Sequence, residues 1–178
     1  MSPITKYGVI GGLILGIVSI IGFLNQPTEL DVSSSQYVLG AVYFIVNTGV
    51  VFTALYMSAA ERRKTELGGY MTFGQGFGHA YKTGLMVILV NIIIMSAYCY
   101  VIDPDWYPYD ADTMIEFAEE RGGNELPDAA KNMMRLQFDH ITEITIFGGA
   151  FGRLFGFAIL SLIVGGVLNK TDPNSINL

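Results

Sequence analysis

The reading of this chain turns on Gly68-Gly69-Tyr70-Met71-Thr72-Phe73-Gly74-Gln75-Gly76-Phe77-Gly78-His79-Ala80-Tyr81-Lys82-Thr83-Gly84. A long apolar segment ends just before this stretch and another begins just after it. It holds the chain's densest mix of glycine and aromatic residues and one of its 2 histidines. It is too polar and glycine-rich to span a bilayer, yet too apolar for a solvated loop. With its basic lead-in it reads as a membrane-hugging turn over residues 61–82, between two transmembrane helices.

Composition supports that setting. The 178 residues are 51% hydrophobic and only 15% charged, where a soluble domain carries about 25% charged residues. Mean hydropathy is +0.44. The charges are segregated, leaving long uncharged runs of the kind that cross bilayers. A net charge of -6 offers no basic face for nucleic acid. The one cysteine, Cys99, lies in an apolar run; it has no intrachain disulfide partner and reads as a small buried residue.

Outward from the central stretch, the pattern predicts an all-α integral membrane protein, a single membrane domain over 1–178. Its four transmembrane helices fall at about 7–24, 37–58, 83–102 and 146–168, close to the ~20 apolar residues a span needs. Gly22-Phe23-Leu24-Asn25-Gln26-Pro27 is a poor cleavage site, so the first span reads as a retained helix. Gly8, Gly12 and Gly16 share one helix face, as do Gly148, Gly152 and Gly156. Small residues at that spacing let helix backbones meet, and the first and fourth spans are expected to pack through these faces, within the chain or between two copies.

Asp103-Pro104-Asp105 stops the third span, and Trp106, Tyr107 and Tyr109 suit an aromatic belt. Residues 103–143 are the one sizeable polar segment and predict an external amphipathic helical hairpin. Thr113 to Glu116 reads as a capping box, Gly122-Gly123 as a helix end and Pro127 as the opening of a second helix. Lys6, Arg62, Arg63, Lys64, Lys82 and Lys170 flank helix ends on one side. The excess of basic residues there predicts that both termini and the central turn are cytoplasmic and the hairpin external.

The order of these features resembles a bacterial membrane-protein family, domain of unknown function forty-one ninety-nine. The residues that carry the resemblance are Lys6-Tyr7-Gly8, the basic end of span two, Gly68-Gly69-x-x-Thr72-Phe73-Gly74-Gln75-x-Phe77 and Ile102-Asp103-Pro104. It covers residues 5 to 168. It implies a four-span protein of the bacterial inner membrane, and it brings no activity and no catalytic residues.

Few residues carry chemistry. Arg153 lies inside the fourth apolar run, where a charge needs a partner or a path to water. The expectation is that its guanidinium points outward to headgroups or to Asp139, Glu143 or Asp103. Asn47 and Asn91 fall near the same depth and suit interhelical hydrogen bonds or a polar site. Asp139-His140-x-x-Glu143 offers two residues at ligand spacing, too few for a metal site. No metal or cofactor is expected, and no nucleophile or acid–base pair marks an enzyme. The first reading is a non-enzymatic membrane scaffold or subunit that associates with itself or joins a larger membrane-protein complex. The alternative is a small transporter or channel with a polar site near Asn47, Asn91, Arg153 and Asp103.

The topology is testable in intact cells. Cysteine introduced as Arg121→Cys should react with a membrane-impermeant thiol reagent, and Lys64→Cys should not; the reverse pattern would overturn the orientation.

Overall fold

The computed structural model describes residues 1–25 and 34–170. The polar loop expected around Pro27, Glu29 and Asp31, and the tail after Lys170, lie outside the described residues. Among the described residues the fold is helical without strands, and four helices are long and apolar enough to cross a membrane: α1 (Pro3–Leu24), α2 (Ser34–Thr65), α3 (Phe73–Ile102) and α6 (Ile141–Leu168). The shorter α4 (Ala111–Gly122) and α5 (Asp128–Asp139) lie between α3 and α6.

Local chemistry sets these boundaries. The Ser2 side chain caps α1 by accepting from the Thr5 amide at 3.2 Å, and Pro3 occupies the first turn, where its missing N–H leaves nothing unpaired. Arg62, Arg63 and Lys64 sit in the last turn of α2, cations at the negative end of a helix dipole. The chain then reverses through Gly68 and Gly69, whose φ of 59° and 92° suit a residue without a Cβ.

The central stretch corrects the expectation. Residues 61–82 are not one long turn: α2 runs on to Thr65 and α3 begins at Phe73, leaving only residues 66–72 between them. The reason is a full capping box. Thr72 Oγ1 accepts from the Gln75 amide at 3.4 Å, and Gln75 Oε1 accepts from the Thr72 amide at 3.0 Å. The spans are likewise longer than hydropathy alone suggests, and α6 begins at Ile141. In α4 the cap is Asp110, which accepts from the Thr113 amide at 2.7 Å. Thr113 is thus not the cap; the acidic residue three positions earlier takes the role. Gly123 closes α4 in the left-handed conformation, φ 65°.

α4 and α5 are joined by ion pairs, Lys131 to Glu119 at 2.9 Å and to Glu125 at 3.0 Å, and Arg135 to Asp112 at 3.0 Å. The Lys131 ammonium, and then the Leu126 amide, hold the Glu119 carboxyl below its usual range. A depressed carboxyl contributes above its unfolded pKa, so this tie weakens only as acid reaches the carboxylate range.

α3 is central, packing against α1, α2 and α6. The glycine stripe of α1 meets α3, not α6. A Cβ on Gly8 would lie 2.5 Å from Met86 Cγ, on Gly12 2.6 Å from Val90 Cβ, and on Gly16 2.8 Å from Ile94. On α6 the close approach is made by Gly165, where a Cβ would lie 3.0 Å from the Phe73 carbonyl oxygen and the Phe77 amide nitrogen. Nothing lies within 4 Å of a Cβ built on Gly152 or Gly156, and at Gly148 the nearest atom belongs to Ile144 on the same helix. Within the described residues the 148/152/156 face is therefore open.

Leu15, Val51, Leu55, Val87, Phe157 and Val164 are among the residues of the main core. The ends of the four helices that carry the basic residues are stitched together. Lys6 Nζ and Tyr7 Oη both donate to Glu61 Oε2, at 2.8 and 2.7 Å. Met71 and Lys170 exchange backbone hydrogen bonds at 3.0 and 2.9 Å. The opposite end is closed by a second cluster containing Met95, Cys99, Trp106 and Ile146. Trp106 stacks on Phe23 at 4.5 Å and donates to Thr142 Oγ1 at 3.1 Å. α2 is buried along its basic half; in the other half Tyr43 Oη donates to the Ile21 carbonyl of α1 at 3.3 Å. The buried residues of α2 all lie from Val51 onward, and Phe44 in the other half is 72% exposed.

The two glycine faces should behave differently. Gly12→Ala should lower stability by about 1–3 kcal/mol through overpacking, while Gly152→Ala should leave it unchanged. Thermal melts in mild detergent read both; equal melting of the two variants would refute the α1–α3 contact.

Candidate functional site

Arg153 lies about 18 Å along α6 from Ile141, and Asn91 about 16 Å along α3 from Ile102, at 1.5 Å per residue. The two residues thus share one depth, far from either helix end. Arg153 Nη1 donates to Asn91 Oδ1. With Asn47 of α2 they line a cavity of about 410 Å³, whose walls also carry Ser19, Tyr43 and Thr145.

This corrects the outward placement of the guanidinium. Because α6 starts at Ile141 rather than near residue 146, Arg153 sits deeper than hydropathy suggests. The carboxylates expected to meet it are engaged elsewhere: Asp103 accepts from Tyr98 Oη at 2.9 Å, and Glu143 from Tyr100 Oη at 3.0 Å. Asp139 lines a separate depression with Asp112 and Arg135. Asp103 is therefore not part of the cavity, and among the described residues no acidic side chain lines it.

The site keeps unused hydrogen-bonding capacity. Asn91 is 2% exposed, yet its Nδ2 is buried with no partner, as is Asn47 Oδ1. Asn47 Nδ2 is occupied, donating to the Tyr43 carbonyl at 2.7 Å, and Ser19 Oγ donates to the Leu15 carbonyl at 2.8 Å. Polar atoms buried without partners are expensive, and a guanidinium in an apolar helix more so. The cavity therefore presents one cation, one free amide donor and one free amide acceptor.

One π-helical turn, Ile144–Gly148 in α6, borders the cavity. A π turn adds a residue to one helical turn and shifts the phase of the residues beyond it. Thr145 and Ile146 lie within this turn, Gly149 directly follows it, and all three are on the lining.

A second polar cluster sits at the basic ends of α2 and α3. Ser58 Oγ lies 3.0 Å from His79 Nε2, Arg62 Nη1 lies 3.3 Å from His79 Nδ1, and Thr83 Oγ1 donates to Ser58 Oγ at 2.8 Å. Arginine only donates, so Nδ1 is the acceptor and Nε2 carries the proton toward Ser58. That tautomer is the wrong one for a base acting on Ser58. Ser58 and Thr83 are also fully buried. The cluster ties α2 to α3.

At the acidic end, His140 Nδ1 is 4.0 Å from Glu143 Oε2 on the exposed surface. Among the described residues no cluster of three or more potential ligands could hold a metal ion.

Sequence reasoning misses Ser19, Tyr43, Thr145, Ser58 and Thr83. A signal exists for most of them: Tyr43–Asn47, Ser58–Arg62 and His79–Thr83 are each polar pairs four apart in apolar helices, hence one face each.

Asn91→Leu strips Arg153 of its partner and should lower stability by about 2 kcal/mol. Adding Arg153→Leu should recover most of the loss, since an ion removed with its partner leaves nothing uncompensated. Thermal melts of the two single variants and the double variant measure the coupling; additive losses would show that the pair does not interact.

No curated protein and no solved structure matches the chain. A family model does match, over residues 6–170 and thus most of the sequence. Its description is "Protein of unknown function (DUF4199)", and the chain belongs to that family.

Proposed function

We propose that this chain is a multi-pass protein of the bacterial inner membrane that holds an anionic group in an intramembrane cavity, as a small transporter does. The orientation that follows from charge puts the basic ends and both termini in the cytoplasm. The observation that supports the reading is the inward hydrogen bond from Arg153 to Asn91 in a cavity that no carboxylate lines among the described residues. An intramembrane cation facing a cavity marks a substrate or ion path more often than a packing role. Low dielectric strengthens its attraction for an anion, and Asn91 Nδ2 adds a second donor beside it.

A second reading, a scaffold that self-associates, is favoured by the open face of Gly152 and Gly156 and by the exposed outer half of α2. Small residues on an uncovered face suit helix–helix contact.

The two readings separate in one set of measurements. The protein in phosphatidylcholine nanodiscs is heated with chloride alone, or with phosphate- and carboxylate-bearing ions, soluble and amphiphilic, at equal ionic strength. At least one of these anions should raise the melting temperature, and Arg153→Gln should abolish the rise. No anion-dependent rise, together with a stable dimer on sizing that Gly152→Leu dissociates, would favour the scaffold.

A further inference from the structure

Beside the polar cavity lies a second one of about 510 Å³, and the two share Asn47, Gly149 and Arg153. Apart from those residues and Thr48, the second cavity is apolar, with Leu15, Phe44, Val51, Phe157, Ile159 and Leu160 among its walls. Gly152 and Gly156 form part of it, and nothing lies within 4 Å of a Cβ built on either. The groove exists because these positions of α6 carry no side chains and α2 buries no residue before Val51. Both volumes fall within the ~300–1,000 Å³ usual for small-molecule sites.

The pair of cavities has the polarity of an amphiphile. A hydrophilic ion would fill only the first; a hydrocarbon would leave Arg153 and Asn91 unanswered. The apolar groove lies at the depth where spanning helices face lipid chains, so a tail would exchange one hydrocarbon setting for another. The head would bring the missing negative charge. Asn47 Oδ1, a buried acceptor without a donor, calls for a hydroxyl or protonated oxygen on the same head.

Resting on the anion-site reading, we infer that the ligand is a single-chain anionic amphiphile, with its head at Arg153, Asn91 and Asn47 and its tail along Gly152 and Gly156 between α2 and α6. A phosphate monoester with a neighbouring hydroxyl meets all three polar atoms.

The test uses the full chain in phosphatidylcholine nanodiscs and three probes: oleoyl lysophosphatidate, oleoyl lysophosphatidylcholine and inorganic phosphate. Lysophosphatidate should bind at least tenfold tighter than either other probe. Arg153→Gln should weaken it by roughly tenfold or more, the worth of a charged hydrogen bond, and Arg153→Lys should weaken it less. Gly156→Leu, which has open space in this fold, should also weaken lysophosphatidate by filling the groove. Phosphate binding as tightly as lysophosphatidate, with dependence on Arg153, would overturn the amphiphile and keep the anion site. Equal binding of both lysolipids, or binding indifferent to Arg153, would overturn both.

Discussion

Two apolar helices that meet in hydrocarbon release no ordered water, so their association depends on close packing and on hydrogen bonds. The contact of α1 with α3 meets that requirement through Gly8, Gly12 and Gly16, where the α3 side chains occupy the space a Cβ would take. The next consequence falls on α3. It presents Met86, Val90 and Ile94 to α1 and its first turns to Gly165 of α6, so it carries two backbone-close neighbours on different parts of its surface. The bundle is organised around that helix.

α2 makes such a contact at one point, where Ala54 fills the space a Cβ on Gly11 of α1 would take. Its basic half is held by Val51, Ala54 and Leu55 in the core and by Ser58 against His79 and Thr83. Its other half has no buried residue. The cavity lies beside that loosely covered half, bounded by Tyr43 and Asn47 on α2 and by Arg153 on α6. Above it, Phe23 and Trp106 stack and Ile146 packs, closing the acidic end. The space around Arg153 therefore follows from where tight packing occurs in the fold and where it stops.

The four long apolar helices and the family are legible in sequence because hydropathy and segregated charge are one-dimensional properties. Helix contacts are not. Gly8, Gly12 and Gly16 announce a packing face, but their partner depends on how α3 rotates, and α3's share of the contact is Met86, Val90 and Ile94, which look like any apolar residues. The same repeat at Gly148, Gly152 and Gly156 forms no close contact among the described residues, so spacing alone does not separate a contact from a groove. Glycine density also misleads at the centre. Phe73-Gly74-Gln75-Gly76-Phe77-Gly78 reads as a turn by propensity, yet the Thr72–Gln75 capping box starts a helix and Gly76 lies 3.1 Å, measured from a built Cβ, from the Cα of Gly165. For Arg153 the sequence reveals the residue but not its direction. Five more residues of α6 at the acidic end move it inward, and Tyr98 and Tyr100 take the carboxylates of Asp103 and Glu143.

The two polar clusters of this bundle obey the same physics and end differently. In Ser58, His79, Arg62 and Thr83, the named polar groups face one another, and the cluster is satisfied by its own members. A closed network of that kind rigidifies the helices that share it. In Asn47, Asn91 and Arg153, one hydrogen bond is made and the neighbouring valences stay open among the described residues: a buried amide N–H, a buried amide oxygen and a charge without a counter-charge on the cavity wall. One carboxylate could have closed this cluster, but Asp103, just beyond the end of α3, bonds Tyr98 instead. Among the described residues the cation has no counter-charge on the cavity wall, which leaves room for water or an anion beside it. The surroundings choose between them, because a charge half-buried among apolar helices gains more from a fixed negative partner than from water held in a narrow cavity. That preference, joined to an apolar groove opening from the same arginine, makes a charged-headed, hydrocarbon-tailed ligand the occupant that satisfies both halves of the site at once.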